Sequence, residues 1–235
     1  MRDPLAGLAD VPWRQLNHAD GDAVDVPDRL RMLRSEHLAT RSGALAWLTK
    51  VPGSTAGAAV VEFLVALIDD ASTPDRESLV SLLHDIALQD IDLPLPDDFE
   101  PGDAFTAASK HVDSYVAWLA DPLVAAQAAE LLAYFPVTQD VVDALLASAA
   151  PASANLTLGY VTGFPEIDAH LTAALESTAR DVRMTAAIAL AFRMGPDLPE
   201  HALDLLVDEA PPPAPPGWDR SMRGFVTLAL RRVGL

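Results

Sequence analysis

The chain has 235 residues, half of them hydrophobic, a formal net charge of -18 and no cysteine. Its apolar content is enough for a substantial core in one or two domains. The lack of cysteine excludes disulfides, thiolate metal sites and a cysteine nucleophile, and the negative charge opposes binding to nucleic-acid phosphates or anionic membranes.

The opening stretch, "MRDPLAGLADVPWRQL", has no continuous apolar region, so no signal peptide is expected. No apolar run approaches the length of a membrane span, and a soluble, cytoplasmic protein is expected. Residues 1–25 read as an N-terminal capping segment. From Val26 onward, apolar residues recur at helical spacing. "VPDRLRML" and "TRSGALAWL" form a first helix pair, and "AAVVEFLVALI" and "DRESLVSLL" a second. Aromatics are only 6%, and Ala, Leu and Val dominate, a mixture that suits closely packed helices better than sheets.

The segment 89–103, "QDIDLPLPDDFEPGD", interrupts the pattern. Pro94, Pro96 and Pro101 forbid a regular helix, and the stretch is strongly acidic. It lacks the residue order of a calcium-binding EF-hand loop. It is either a solvated connector or a docking loop for a basic partner, with Asp92, Asp97, Asp98, Glu100 and Asp103 as contacts and Leu93, Leu95 and Phe99 pinning it to the body. From Glu77 to Ala179 there are sixteen Asp and Glu against Lys110 alone.

Helical patterns resume in "VDSYVAWLA" and "DPLVAAQAAELL", then in "QDVVDALLASAA", followed by a degenerate partner, "NLTLGYVTGF". Trp118 and Tyr134 flank these acidic central units. They are either buried core anchors or exposed interface anchors; the sharper expectation takes them as partner contacts. "IDAHLTAALE" and "ARDVRMTAAIALAFRMG" make the clearest pair, with Val182, Ala186, Ala189 and Leu190 on one helical face and Gly195-Pro196 ending the helix. "HALDLLVDE" and "MRGFVTLAL" close the chain, separated by the proline-rich connector at 210–217. The last helix is basic, with Arg220, Arg223, Arg231 and Arg232.

An anchor of an apolar residue, Arg, a small or apolar residue and Leu recurs at Arg41, Arg183 and Arg223. These arginines read as structural ties between repeats. The stretch "ALESTARDVRMTAAIALAFRMG" resembles a HEAT repeat: an apolar first helix, a short Asp-containing turn, then Val-Arg and Ala-Ala-x-x-Leu. "WRQLNHADGDAVDVPDRLRML" is similar to the start of a group of actinobacterial HEAT-repeat proteins, through Trp13, Leu16, His18, Gly21, Val26, Pro27, Leu30 and Leu33. The resemblance implies an all-α fold, a right-handed superhelix of about five or six stacked helix pairs forming one domain over residues 1–235.

No nucleophile elbow, P-loop, dinucleotide-binding glycine pattern or paired-histidine metal motif is present. Some HEAT-repeat enzymes hold iron with His-Glu dyads, but Glu36-His37 and Glu200-His201 are reversed. HEAT-like DNA glycosylases need cations along their channel, which the middle of this chain lacks. The expected function is therefore a non-enzymatic protein-binding scaffold, without metal or cofactor, whose concave acidic surface engages a basic protein or peptide. An inhibitor or immunity-type protein masking a basic, nucleic-acid-targeting enzyme is one form of it. The alternative is a HEAT-like enzyme or cofactor-handling protein whose site has no sequence signature.

Overall fold

In a computed structural model of the chain, the described residues are 3–89, 91–96 and 98–235. Most of them are helical, and the only strands among them form one small hairpin. The helix ends follow from local chemistry. Helices α1 (Val26–Met32), α9 (Pro151–Tyr160) and α10 (Pro165–Ala174) carry proline in their first turn, where its missing N–H costs no hydrogen bond. Helix α13 (Met222–Val233) is capped by Ser221, whose hydroxyl accepts from the Gly224 N–H at 3.2 Å, and it stops at Gly234 with φ +94°.

The contacts gather into two compact units, Met1–Ser114 and Tyr115–Leu235. In the first unit, strands β1 (Asn17–His18) and β2 (Gly21–Asp22) pair antiparallel ahead of α1. Helix α1 packs on α2 (Leu38–Leu48), and α3 (Gly57–Asp69) packs on α4 (Arg76–Ala87) and α5 (Asp103–Ala108). The core is aliphatic: Leu30, Leu48, Leu64, Leu67, Ile68 and Leu83 are all fully buried. Each such leucine contributes roughly 1.5–3 kcal/mol by leaving water. Trp13, in a short 3-10 turn, fixes the N-terminal segment. Its indole N–H donates to the Leu8 carbonyl at 2.8 Å, and its ring lies 6.3 Å from Phe63.

The division falls within α6 (Val112–Trp118). The second unit continues with α7 (Ala125–Leu132), α8 (Gln139–Leu146), α9, α10, α11 (Arg180–Met194), α12 (Glu200–Asp208) and α13. Two helices form its centre. Helix α11 packs against α9, α10, α12 and α13, and α9 also packs against α7 and α8. Gly159 lets α9 and α11 approach closely, because a Cβ there would lie 2.9 Å from the Ala189 Cα.

Both central helices differ from the single-face expectation. In α11 every residue from Met184 to Ala191 is buried, and Val182, expected in the core, is only half-buried. A helix surrounded on all sides is small and apolar all round, so no single stripe marks its core face. The degenerate stretch "NLTLGYVTGF" lies mostly in α9, which is buried from Ala152 to Gly159. Its polar side chains are hydrogen-bonded inside the unit. Thr157 donates to the Ala129 carbonyl at 2.5 Å, Ser153 to the Ala126 carbonyl at 2.6 Å, and the Asn155 amide to the Val182 carbonyl at 3.2 Å.

The recurring arginines occupy distinct places. Arg41 reaches back to the Ser35 and Glu36 carbonyls at 2.9 and 3.1 Å and pairs with Asp75 at 2.6 Å. Arg183 reaches back to the Ser177 and Thr178 carbonyls at 2.8 and 3.3 Å and pairs with Glu209 at 3.2 Å. Arg76 donates from Nε to the Ile68 carbonyl, near the end of α3, at 2.6 Å. Arg223 is exposed, and its side chain makes no hydrogen bond or ion pair among the described residues. The proline-rich connector explains the difference: it separates Arg223 in sequence from the end of α12, the carbonyls it would otherwise reach.

Candidate functional site

Among the described residues of the predicted partner site, Asp92, Asp98, Glu100 and Asp103 are exposed. Between Ile91 and Glu100 the described residues alternate strictly. Ile91, Leu93, Leu95 and Phe99 are half-buried, while Asp92, Pro94, Pro96, Asp98 and Glu100 are exposed. Apolar side chains thus face the body and the carboxylates and prolines face solvent. The apolar side is held to the body: Phe99 meets Phe105 of α5 edge-on, with ring centroids 5.0 Å apart. The Phe99 N–H closes a turn on the Pro96 carbonyl at 3.1 Å.

The outward side carries the carboxylates. Asp92, Asp98 and Glu100 are exposed and make no ion pair among the described residues. Asp103 is also exposed, but it does not belong to the loop. It opens α5, where a carboxylate in the first turn favours the helix N-terminus. Asp97 lies outside the described residues. Elsewhere in the first unit, some carboxylates are paired, Asp3 and Asp70 with Arg34, Asp28 with Arg31, and Asp75 with Arg41, while Asp10, Asp22, Glu36 and Glu77 are exposed without an ion pair among the described residues. Ser72 donates to Asp70 through both its hydroxyl and its N–H, which holds that carboxyl below its usual range.

Trp118 and Tyr134 are not surface anchors. Trp118 is 3% exposed and Tyr134 is 9% exposed. Trp118 packs 5.1 Å from Tyr115, which in turn meets Phe135 at 5.7 Å. Aromatic area that is already buried among its own neighbours is not available to a partner.

A second polar cluster, not anticipated as a unit, gathers on the N-terminal hairpin. The Asp20 N–H donates to His18 Nδ1 at 3.1 Å, which leaves the Nε2 proton facing Asp25 at 3.3 Å. The imidazole stands edge-on to Trp47 at 4.8 Å. The Arg29 guanidinium and the Lys50 ammonium lie over the same indole at 5.2 and 5.8 Å. Lys50 also pairs with Asp20 and holds that carboxyl below its usual range. The His18 ring is 6% exposed and its two nitrogens face Asp20 and Asp25. The cluster fastens β1 and β2 to α2.

Two open grooves lie among the described residues of the first unit. One, of about 540 Å³, is lined by Asp3, Leu5, Leu8, Arg31 and Arg34 among others; neither groove includes a residue of the acidic segment. No group of three or more His, Asp and Glu is placed to hold a metal ion among the described residues. No helix among them is long and apolar enough to cross a membrane. No protein-family model matches the chain, and no curated protein is significantly similar to it.

Proposed function

We propose that this chain is a HEAT-like helical-repeat scaffold that binds a basic protein or peptide through the acidic surface at residues 91–103. One observation carries the reading: Asp92, Asp98 and Glu100 are exposed and have no ion-pair partner among the described residues, while Leu93, Leu95 and Phe99 beside them are half-buried. A preorganised row of charge costs little ordering entropy on binding and steers an oppositely charged partner toward it. From Glu77 to Ala179 the sequence has sixteen Asp and Glu and a single Lys or Arg, Lys110, an excess that adds to that field. The repeat part of the reading rests on Arg41, Arg76 and Arg183: Arg41 and Arg183 tie a helix to the turn before it, and Arg76 ties α4 to the end of α3. Inhibition of a basic, nucleic-acid-targeting enzyme is one function such a surface could serve.

The test is titration of the chain with an arginine-rich peptide at low and high salt. The expected result is binding that weakens steeply with salt and is lost in a variant combining D92N, D98N and E100Q. Equal affinity in that variant, or binding indifferent to salt, overturns the proposal.

A further inference from the structure

Carboxylates outnumber lysine and arginine about two to one in this chain, so an unpaired cation is uncommon. Four of the few that are unpaired among the described residues belong to one short stretch. Arg29 is held over Trp47, and Arg31, Arg34, Arg41, Lys50, Arg180, Arg183 and Arg193 all have carboxylate partners. Arg220, Arg223, Arg231 and Arg232, in and just before α13, have none; Arg220 instead lies 5.9 Å over the Phe225 ring.

The helix places three of these on an unpartnered face. Met222, Phe225, Val226 and Ala229 are buried, and α13 packs against α11. Arg223, Thr227 and Arg231 are exposed at i, i+4 and i+8, and Arg232 is exposed beside them. Arg223 and Arg231 are thus about 12 Å apart along one side of the helix. The helix dipole accounts for Arg231 and Arg232, which lie at its negative end. It does not account for Arg223. That residue is in the first turn, where a cation is disfavoured, and α13 has no acid there to offset it.

We infer that the arginine face of α13 is a docking surface for an acidic protein segment, and that its occupant is the 91–103 segment of a second copy of this chain. Charge complementarity is the argument. The arginines of α13 and Asp92, Asp98 and Glu100 are opposite in sign, exposed, and without ion-pair partners among the described residues, and Phe99 beside these acids packs on Phe105. A contact between two different patches is heterologous, so it propagates head to tail instead of closing as a symmetric dimer. The inference uses the exposure of the acidic segment but not its proposed basic partner.

The test is sedimentation of the full chain over a range of concentration at low and high salt. The expected result is a weight-average mass that rises with concentration at low salt and returns to the monomer at high salt. Charge reversal in R223E/R231E/R232E should reduce association at least about tenfold, equivalent to about 1.4 kcal/mol. Reversal in D92K/D98K/E100K should do the same, and mixing the two variants should restore association, because each then supplies what the other lacks. A chain that stays monomeric at low salt, or variants that associate as the parent does, overturns the inference. A monomeric chain that still binds an arginine-rich peptide through residues 91–103 would leave the proposed function standing while this inference falls.

Discussion

Arg41 and Arg183 make the same contact in two different helix pairs. Each donates from Nη1 to the carbonyls six and five residues upstream, and each then pairs with a carboxylate farther along the chain, Asp75 or Glu209. The guanidinium suits this work: its rigid fork satisfies the carbonyls of a turn and an acid at once, which a lysine cannot do. Both side chains are largely shielded, with 12% and 24% of their surface exposed, so these bonds are weakened less by water and salt than surface pairs are.

Arg41→Gln and Arg183→Gln should therefore destabilise the fold by about 2 kcal/mol each, the scale of losing charge-assisted hydrogen bonds and stranding their acceptors. Arg223→Gln should change stability by no more than about 0.5 kcal/mol, since its side chain is exposed and unpaired. Urea midpoints for the three variants check both statements. A loss at Arg223 equal to that at Arg41 would make it a tie after all.

Gly159→Ala tests the α9–α11 contact by setting two effects against each other. Alanine is the better helix former by about 1 kcal/mol. The added methyl, however, would sit 2.9 Å from the Ala189 Cα and 3.2 Å from its Cβ, and backbone there has no room to yield. Overpacking of this kind costs about 1–3 kcal/mol. The net expectation is a lower melting temperature, and a higher one would show that the helices can separate freely.

The same central helices show what a sequence can and cannot reveal. The register of α11 was legible because Val182, Arg183, Ala186 and Leu190 carry a recognisable spacing, and the breaks at Gly195 and in the proline-rich connector were legible because those residues restrict the backbone. Arg193 was not. Its Nε pairs with Asp168 at 2.5 Å, and its other nitrogens reach the carbonyls of Val161 and Phe164, partners defined only once α9, α10 and α11 have packed. Trp118 and Tyr134 failed as surface anchors for a related reason. A lone aromatic near a helix end does not reveal which side its neighbours cover, whereas Leu93, Leu95 and Phe99, set among acids and prolines, are legible as the residues that pin their segment to the body.

Ser153→Ala should loosen the connector. Ser153 links two groups: its hydroxyl accepts the Trp218 indole N–H at 2.8 Å and donates to the Ala126 carbonyl at 2.6 Å. Removing it strands a buried donor and an acceptor, at a cost of about 1–3 kcal/mol. Trp218 lies directly after the proline-rich stretch, where Gly217 is pressed against Gln127 and Glu130 of α7. The expected result is faster proteolysis within 210–217 together with changed tryptophan fluorescence. Unaltered cleavage would mean that ring packing alone holds the connector.

Tyr160 gives the fold a sensitivity to alkaline pH. Burial pushes its phenol up to about 12, outweighing the opposite pull of Arg220. A tyrosine in the unfolded chain ionises near pH 10, so above that pH the unfolded state releases a proton that the folded state keeps. The contribution is complete below about pH 10 and is lost as pH rises from about 10 towards 12. Tyr160→Phe keeps the ring against Phe192 and Trp218, whose centroids lie 5.3 and 6.3 Å away, but removes the ionisable group. The variant should therefore lose less stability than the parent between about pH 10 and pH 12. Its absorbance titration near 295 nm should also lack a late phenolate step that the parent shows. Parallel stability curves for the two proteins across that range would rule out Tyr160 as the source.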